Sequence, residues 1–249
     1  MDQYTDEAEH SAEMQLPFLH RLLQKLYPDR VESDYPPLVP IMVGSTQGAT
    51  EAAFGKVLAP YFGDTENAII LSSDFCHWGS HFRHTYFVPS APSPALSLLN
   101  LPNGTVEDAT HDSCNELSSA EPYEKLDVSQ ARNLVPREVT KSGEPAIHES
   151  IAYVDRACMS AITFGSQDVW LDVLGRTGNT VCGRHPIGVF LAGWEEVTRF
   201  RKVTGEDAAP GTRKSSDTAF RFIRYERSNL VRSVKDSSVS YVSAFAVLD

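Results

Sequence analysis

Ile69-Ile70-Leu71-Ser72-Ser73-Asp74-Phe75-Cys76-His77-Trp78-Gly79, with Phe82 and Arg83 close behind, is the stretch whose reading decides the fold. Ile69, Ile70 and Leu71 form a short apolar run of the kind that fills a buried strand. Ser72 and Ser73 end it. Asp74, Cys76 and His77 follow at once, where a strand hands over to a loop. In open α/β sheets, ligands bind beyond the carboxyl ends of the strands. Groups that hold protons or metals therefore cluster where such folds keep their chemistry. A plainer reading stands beside this one: Asp74 caps a turn, Cys76 fills a core, and His77 is a satisfied polar residue.

Upstream, Leu38–Val43 is a second apolar run after Pro36 and Pro37. A helix over Thr50–Phe62 separates the two runs, with Ala53, Phe54, Val57, Leu58 and Tyr61 as its apolar face. Strand, helix, strand with short links predicts a right-handed parallel βαβ unit. Ser11 to about Tyr27 reads as a helix, with Leu16, Leu19, Leu22, Leu23 and Leu26 on one side and Pro17 in its first turns.

Downstream, Ser150–Phe164 and a segment from Ser166 or Asp168 to near Gly175 read as helices. Cys182-Gly183-Arg184-His185-Pro186-Ile187-Gly188 then opens a further helix that runs to about Val203. Pro186 suits a first helical turn, where its missing N–H would have no partner. Cys182 stands just ahead of that helix start, whose dipole favours a thiolate, the form that binds metal or attacks carbon. It also reads as a buried thiol at a structural helix entry. Arg184 and His185 offer an anion site at the helix start or a structural salt bridge. Phe220–Glu226 and Val239–Val247 alternate as paired strands. Residues 89–146 are rich in Ser, Pro, Asn, Glu and Asp and read as a mostly disordered insertion. His111 and Cys114 within it are spaced like half a zinc site but have no second pair.

Composition bounds the function. The chain has 249 residues, enough for a single domain spanning 1–249. A net charge of −11 argues against nucleic acid or an anionic membrane as the main partner. No apolar run approaches the ~20 residues of a membrane span, and the acidic start, Met1-Asp2-Gln3-Tyr4, is unlike a secretory signal. The four cysteines are widely spaced, which fits reduced thiols in the cytoplasm.

Four motifs occur in order: Glu9-His10-Ser11-Ala12-Glu13-Met14-Gln15-Leu16-Pro17, Ser72–Gly79 with Phe82 and Arg83, Cys182–Gly188, and Asp236-Ser237-Ser238-Val239-Ser240-Tyr241. Together they resemble the Memo family (mediator of receptor-driven cell motility). The resemblance covers residues 5–88 and roughly 147–249. It implies the fold of class III extradiol dioxygenases: an α/β architecture with a mixed, partly parallel sheet flanked by helices around one pocket.

The resemblance further implies that Cys182 is a metal ligand for copper or iron, and that Asp74 and His77 line the pocket. His10 also faces that pocket in the family, and Cys76, Arg184 and His185 belong to the same motifs. The family's two metal histidines lie in Pro-His-Ala-Gly-Tyr and Pro-Ser-His-His elements, and neither occurs here. The expectation is a truncated chain lacking N-terminal strands, with an incomplete metal site and low stability.

By resemblance, the expected function is non-enzymatic: a cytoplasmic and nuclear protein in signalling, cell motility and redox, with a pocket for metal or for a peptide of a signalling protein. The alternative is a metal-dependent dioxygenase-like or hydrolase-like enzyme. It would use His77 and Asp74 with His10 or His185. A serine hydrolase is disfavoured, because no Gly-x-Ser-x-Gly elbow is present.

Overall fold

Hydrophobic periodicity sets the helical frame. In the computed structural model, which describes residues 10–92, 126–204 and 220–246, the helices are α1 (Leu16–Leu26), α2 (Gly48–Phe62), α3 (Ile147–Phe164), α4 (Gln167–Thr177) and α5 (Arg184–Thr204). The strands are β1 (His77–Trp78), β2 (Tyr86–Phe87), β3 (Arg132–Asn133), β4 (Arg221–Arg227) and β5 (Ser238–Phe245). All five expected helical regions form within a few residues of the expected bounds. Pro17 is at the second position of α1 and Pro186 at the third of α5, where a missing N–H costs nothing. Glu149 reaches back to the Ala146 N–H at 2.8 Å and closes the start of α3. Ser166 caps nothing with its own side chain. Glu195 of α5 accepts the Gln167 N–H instead, at 3.0 Å, and so docks α4 onto α5.

The sheet differs from the expectation. β1, β5 and β4 lie side by side in that order, and every pairing is antiparallel. β4 and β5 pair as expected. β2 and β3 form a second antiparallel pair. The expected parallel βαβ unit is not formed. Among the described residues, Leu38–Val43 and Ile69–Leu71 belong to no strand. Leu38, Val39, Ile41, Met42, Ile69 and Ile70 are exposed. The physical reason is that an apolar run becomes a strand only through a neighbour that satisfies its backbone, and neither run has one among the described residues.

Of the expected insertion, residues 93–125, including His111 and Cys114, lie outside the described residues. The described part beyond them is packed. Leu126 and Leu134 are buried, β3 pairs with β2, and Arg132 bridges Glu138 and Glu144 at 3.1 Å each.

The main core lies between α3, α4 and α5 and the β4–β5 face. Cys158, Trp170, Val173 and Leu191 are fully enclosed there with Phe75 and Tyr225. Trp170 also donates its indole N–H to the Arg184 carbonyl at 3.0 Å, so the helix that starts the Cys182 motif is pinned to α4. The outward faces of α1 and α2 hold the surprise. No residue of α1 is buried, and Leu16, Leu22 and Leu26 are exposed. On α2 the buried row is Glu51, Gly55, Ala59 and Phe62, whereas Phe54, Val57 and Tyr61 point to solvent. Glycine contact dictates this. A Cβ on Gly55 would stand 2.6 Å from the Gly193 nitrogen and 2.7 Å from the Ala192 Cβ. α2 and α5 therefore cross with their backbones almost touching, an approach only small side chains allow.

Candidate functional site

The segment 73–78 is held on both edges. On one side it extends the β1–β5 ladder: Phe75 N–H donates to Ser240 O at 2.8 Å, and Ser240 N–H to Cys76 O at 3.0 Å. Phe75, Cys76 and Trp78 are buried, Asp74 is half-exposed, and His77 is half-buried. On the other edge lies the loop that leads into α5. Cys182 N–H donates to Asp74 O at 3.2 Å, and Gly183 N–H donates to Ser73 Oγ at 2.9 Å. The Thr180 hydroxyl accepts the His77 N–H at 2.8 Å and donates to the His77 carbonyl at 3.0 Å. Gly183 makes this contact possible. A Cβ there would lie 2.4 Å from the Ser73 Cβ and 2.8 Å from the Ser72 carbonyl. The two motifs, more than a hundred residues apart in sequence, are therefore stitched together by their backbones.

What the stitching presents is a sulfur, a carboxylate and an imidazole. Cys182 is free and exposed. Its Sγ accepts the Asp74 N–H at 3.2 Å. That N–H and the start of α5 both set positive partial charge beside the sulfur. His77 Nδ1 lies 2.9 Å from the Phe75 carbonyl and 3.1 Å from the Thr180 carbonyl. Two carbonyls are acceptors only, so Nδ1 carries a proton. This leaves Nε2 as the working nitrogen, 3.7 Å from Asp74 Oδ2. The edge of Phe82 packs on the ring at a centroid distance of 5.2 Å. The geometry is that of a donor whose tautomer is fixed from behind.

Comparison with known proteins decides the family. A family model described as Memo-like protein matches residues 1–245. The chain belongs to the Memo family. MEMO1 family protein MHO1 of Saccharomyces cerevisiae is 31% identical over 252 residues, with 100% of this chain and 62% of that protein covered. Protein memo-1 homolog of Caenorhabditis elegans is 31% identical over 244 residues, with 98% and 49% covered. Protein MEMO1 of Xenopus laevis is 30% identical over 249 residues, with 100% and 59% covered. The chain thus spans about half to three fifths of the length of these relatives.

The remaining expected pocket residues of this Memo-family chain are placed as follows. Cys76 does not open on the site. It is 2% exposed, and burial first, then the nearby Asp155 carboxylate, pushes its thiol well above the usual range. It is an inert core thiol. His185 turns away from Cys182 to Glu51, with 2.7 Å between Nδ1 and Oε1. Glu51 is 2% exposed and also accepts from Gln167 Nε2 at 3.3 Å. His185 thus pairs with the Glu51 carboxyl rather than with Cys182. Arg184 contributes its carbonyl to Trp170. His10 is exposed, and its carbonyl accepts the Met14 N–H. Its motif still reaches the site, because Gln15 Nε2 donates to Ser72 Oγ at 3.2 Å.

Sequence reasoning missed Thr180, Ser73 and Glu51. Thr180 lies two residues before Cys182, and a hydroxyl at the entry to a motif was a usable signal. Glu51 carried none, because a glutamate on a helix reads as solvent-facing. Among the described residues no group of three His, Cys, Asp or Glu side chains is gathered so that it could hold a metal ion. The described residues do not complete a copper or iron site. No helix among them is long and apolar enough to cross a membrane.

Proposed function

We propose that this Memo-family chain is a non-enzymatic binding protein of the cytoplasm and nucleus that acts in signalling, cell motility and redox. Its binding site is the junction of Cys182, Asp74 and His77. The observation that carries the reading is the exposed Cys182 sulfur, held by the Asp74 N–H at 3.2 Å beside a half-exposed carboxylate and a tautomer-fixed imidazole. Three unlike donors on a pinned backbone suit recognition of a polar group. The ligand is a peptide segment of a signalling protein. Supporting this, Leu38, Val39, Ile41, Met42, Ile69 and Ile70 are exposed and pair with no strand among the described residues, and the Ile69–Leu71 run leads into Ser72–Asp74. An exposed apolar run with unpaired backbone can accept an added strand.

The test is selection from a displayed peptide library against the wild-type chain and against a Cys182→Ser/His77→Ala variant. Enriched peptides should bind the variant at least about tenfold more weakly, the loss of one charged or two ordinary hydrogen bonds. Equal binding would sink the reading.

A second reading is favoured by the donor chemistry. A thiol and an imidazole are the soft and borderline ligands that copper and iron take. Equilibrium dialysis against Cu(I) and Fe(II), with metal content measured before and after Cys182→Ser, separates this reading from the first. The enzymatic alternative requires oxygen uptake from catechol with Fe(II) that His77→Ala abolishes. The binding reading expects none above a metal-only control.

A further inference from the structure

Asp155 lies on α3 with 0% of its surface exposed. Two side chains from distant parts of the chain converge on its carboxylate. Asn179 Nδ2 donates to Oδ1 at 2.9 Å, and Tyr225 OH donates to Oδ2 at 2.8 Å. Ser240 Oγ lies 3.2 Å from the same Tyr225 hydroxyl. Burial pushes this carboxyl up, and the donors oppose that push. The same Asn179 Nδ2 donates to Cys158 Sγ at 3.3 Å, and the Asp155 carboxylate, an acceptor only, fixes which way the amide points.

The pattern of what Asp155 holds matters more than the number of bonds. Asn179 is the residue before Thr180. His77 and Thr180 are the pair whose groups settle the imidazole: Thr180 O and Phe75 O receive Nδ1, and Thr180 Oγ1 clamps the His77 backbone at both its N–H and its C=O. Asp155 therefore fixes Asn179 one residue ahead of Thr180, and the Thr180 groups in turn hold the His77 ring and backbone. A helix of the core, rather than a residue of the pocket, decides where His77 stands.

We infer that Asp155 is the positioning residue of the site, holding His77 as the Nδ1–H tautomer with Nε2 turned toward Asp74. The inference rests on the reading of His77 as part of a ligand-binding site, but its readout does not need the ligand. A merely structural Asp155 would lower stability and leave the ring unchanged.

The experiment is nitrogen-resolved NMR of the His77 ring in the full chain without ligand, for wild type, Asp155→Asn, Asn179→Ala and Tyr225→Phe. In the wild type the neutral ring should be almost wholly the Nδ1–H form. In Asp155→Asn and Asn179→Ala the ratio of Nδ1–H to Nε2–H should fall by about fivefold or more, the factor that one ordinary hydrogen bond sets. Tyr225→Phe removes a donor to Asp155 but leaves the Asn179 contact. It should lower the melting temperature and leave the ratio in place. An unchanged ratio in a folded Asp155→Asn or Asn179→Ala chain overturns the inference, as does an equal shift in Tyr225→Phe. If Asp155→Asn does not fold, Asn179→Ala decides alone. Peptide or Cu(I) binding, measured separately on the same variants, reports on the binding reading: a shifted ratio with undiminished binding would remove His77 from the ligand site and leave its positioning by Asp155 standing.

Discussion

α2 and α3 are both apolar helices, yet they are built in opposite senses. α3 turns Ile147, Ile151, Val154, Cys158, Met159 and Ile162 inward, with polar Arg156 and Thr163 only partly covered. α2 turns a glutamate, a glycine, an alanine and one phenylalanine inward and leaves Phe54, Val57 and Tyr61 outside. The difference teaches that apolar periodicity identifies a face that seeks burial, whereas packing decides which face gets it. α3 has sheet and helices around it, so its large side chains fill the space. α2 meets α5 at backbone distance, which admits only small residues along the seam, and it places Glu51 where His185 and Gln167 satisfy it.

The sharpest break of this contrast is a cut into the α3–α5 core. Trp170→Ala should cost about 3–5 kcal/mol in urea unfolding, because the ring is fully enclosed and its N–H is bonded. A cost below about 1 kcal/mol would mean that region can collapse onto a void and is no tighter than α2's outer face. The seam comes next. Gly55→Val should destabilise by about 1–3 kcal/mol, since its first carbon already meets backbone atoms of α5. A neutral result in the same unfolding assay would show that the helices can slide apart.

The outward face should respond least among the helix changes. Phe54→Ser and Val57→Ser should each stay within about 0.5 kcal/mol of wild type, the usual range for surface positions. A larger loss on melting would mean that this face is covered in solution.

The smallest effect concerns pH. Glu144 is held below the usual carboxylate range, first by the Lys141 N–H and then by Arg132. A carboxyl lowered in the folded state adds stability above its ordinary range and loses it as pH falls through the lowered value. The melting-temperature gap between wild type and Glu144→Gln should therefore close as pH drops below about 4. A gap that persists or widens at acid pH would count against the Arg132–Glu144 bridge.

Legibility in the sequence followed locality. The helices were readable because Pro17, Pro186 and the apolar spacing act within a turn or two. The β4–β5 pair was readable because both strands alternate. Asp74, His77 and Cys182 stood out because reactive types were crowded at the end of an apolar run and before a helix start. The strands at Leu38–Val43 and Ile69–Leu71 were misread because a ladder needs a neighbour, and that neighbour is not specified by the run itself. Cys76 was misplaced for a related reason: one residue along an extended segment turns a side chain from pocket to core.

By itself the sequence determined the residue types that make the site, the helix starts that flank it, and membership of the Memo family through motifs kept in order. Only the tertiary structure decided that Thr180 and Ser73 clamp those motifs together, that His185 pairs with Glu51 rather than with Cys182, and that Asp155 holds the residue ahead of Thr180. Each of these depends on contacts between segments tens to more than a hundred residues apart. Such contacts follow from which surfaces can approach closely enough to bond, and a linear pattern of residue types does not encode that distance.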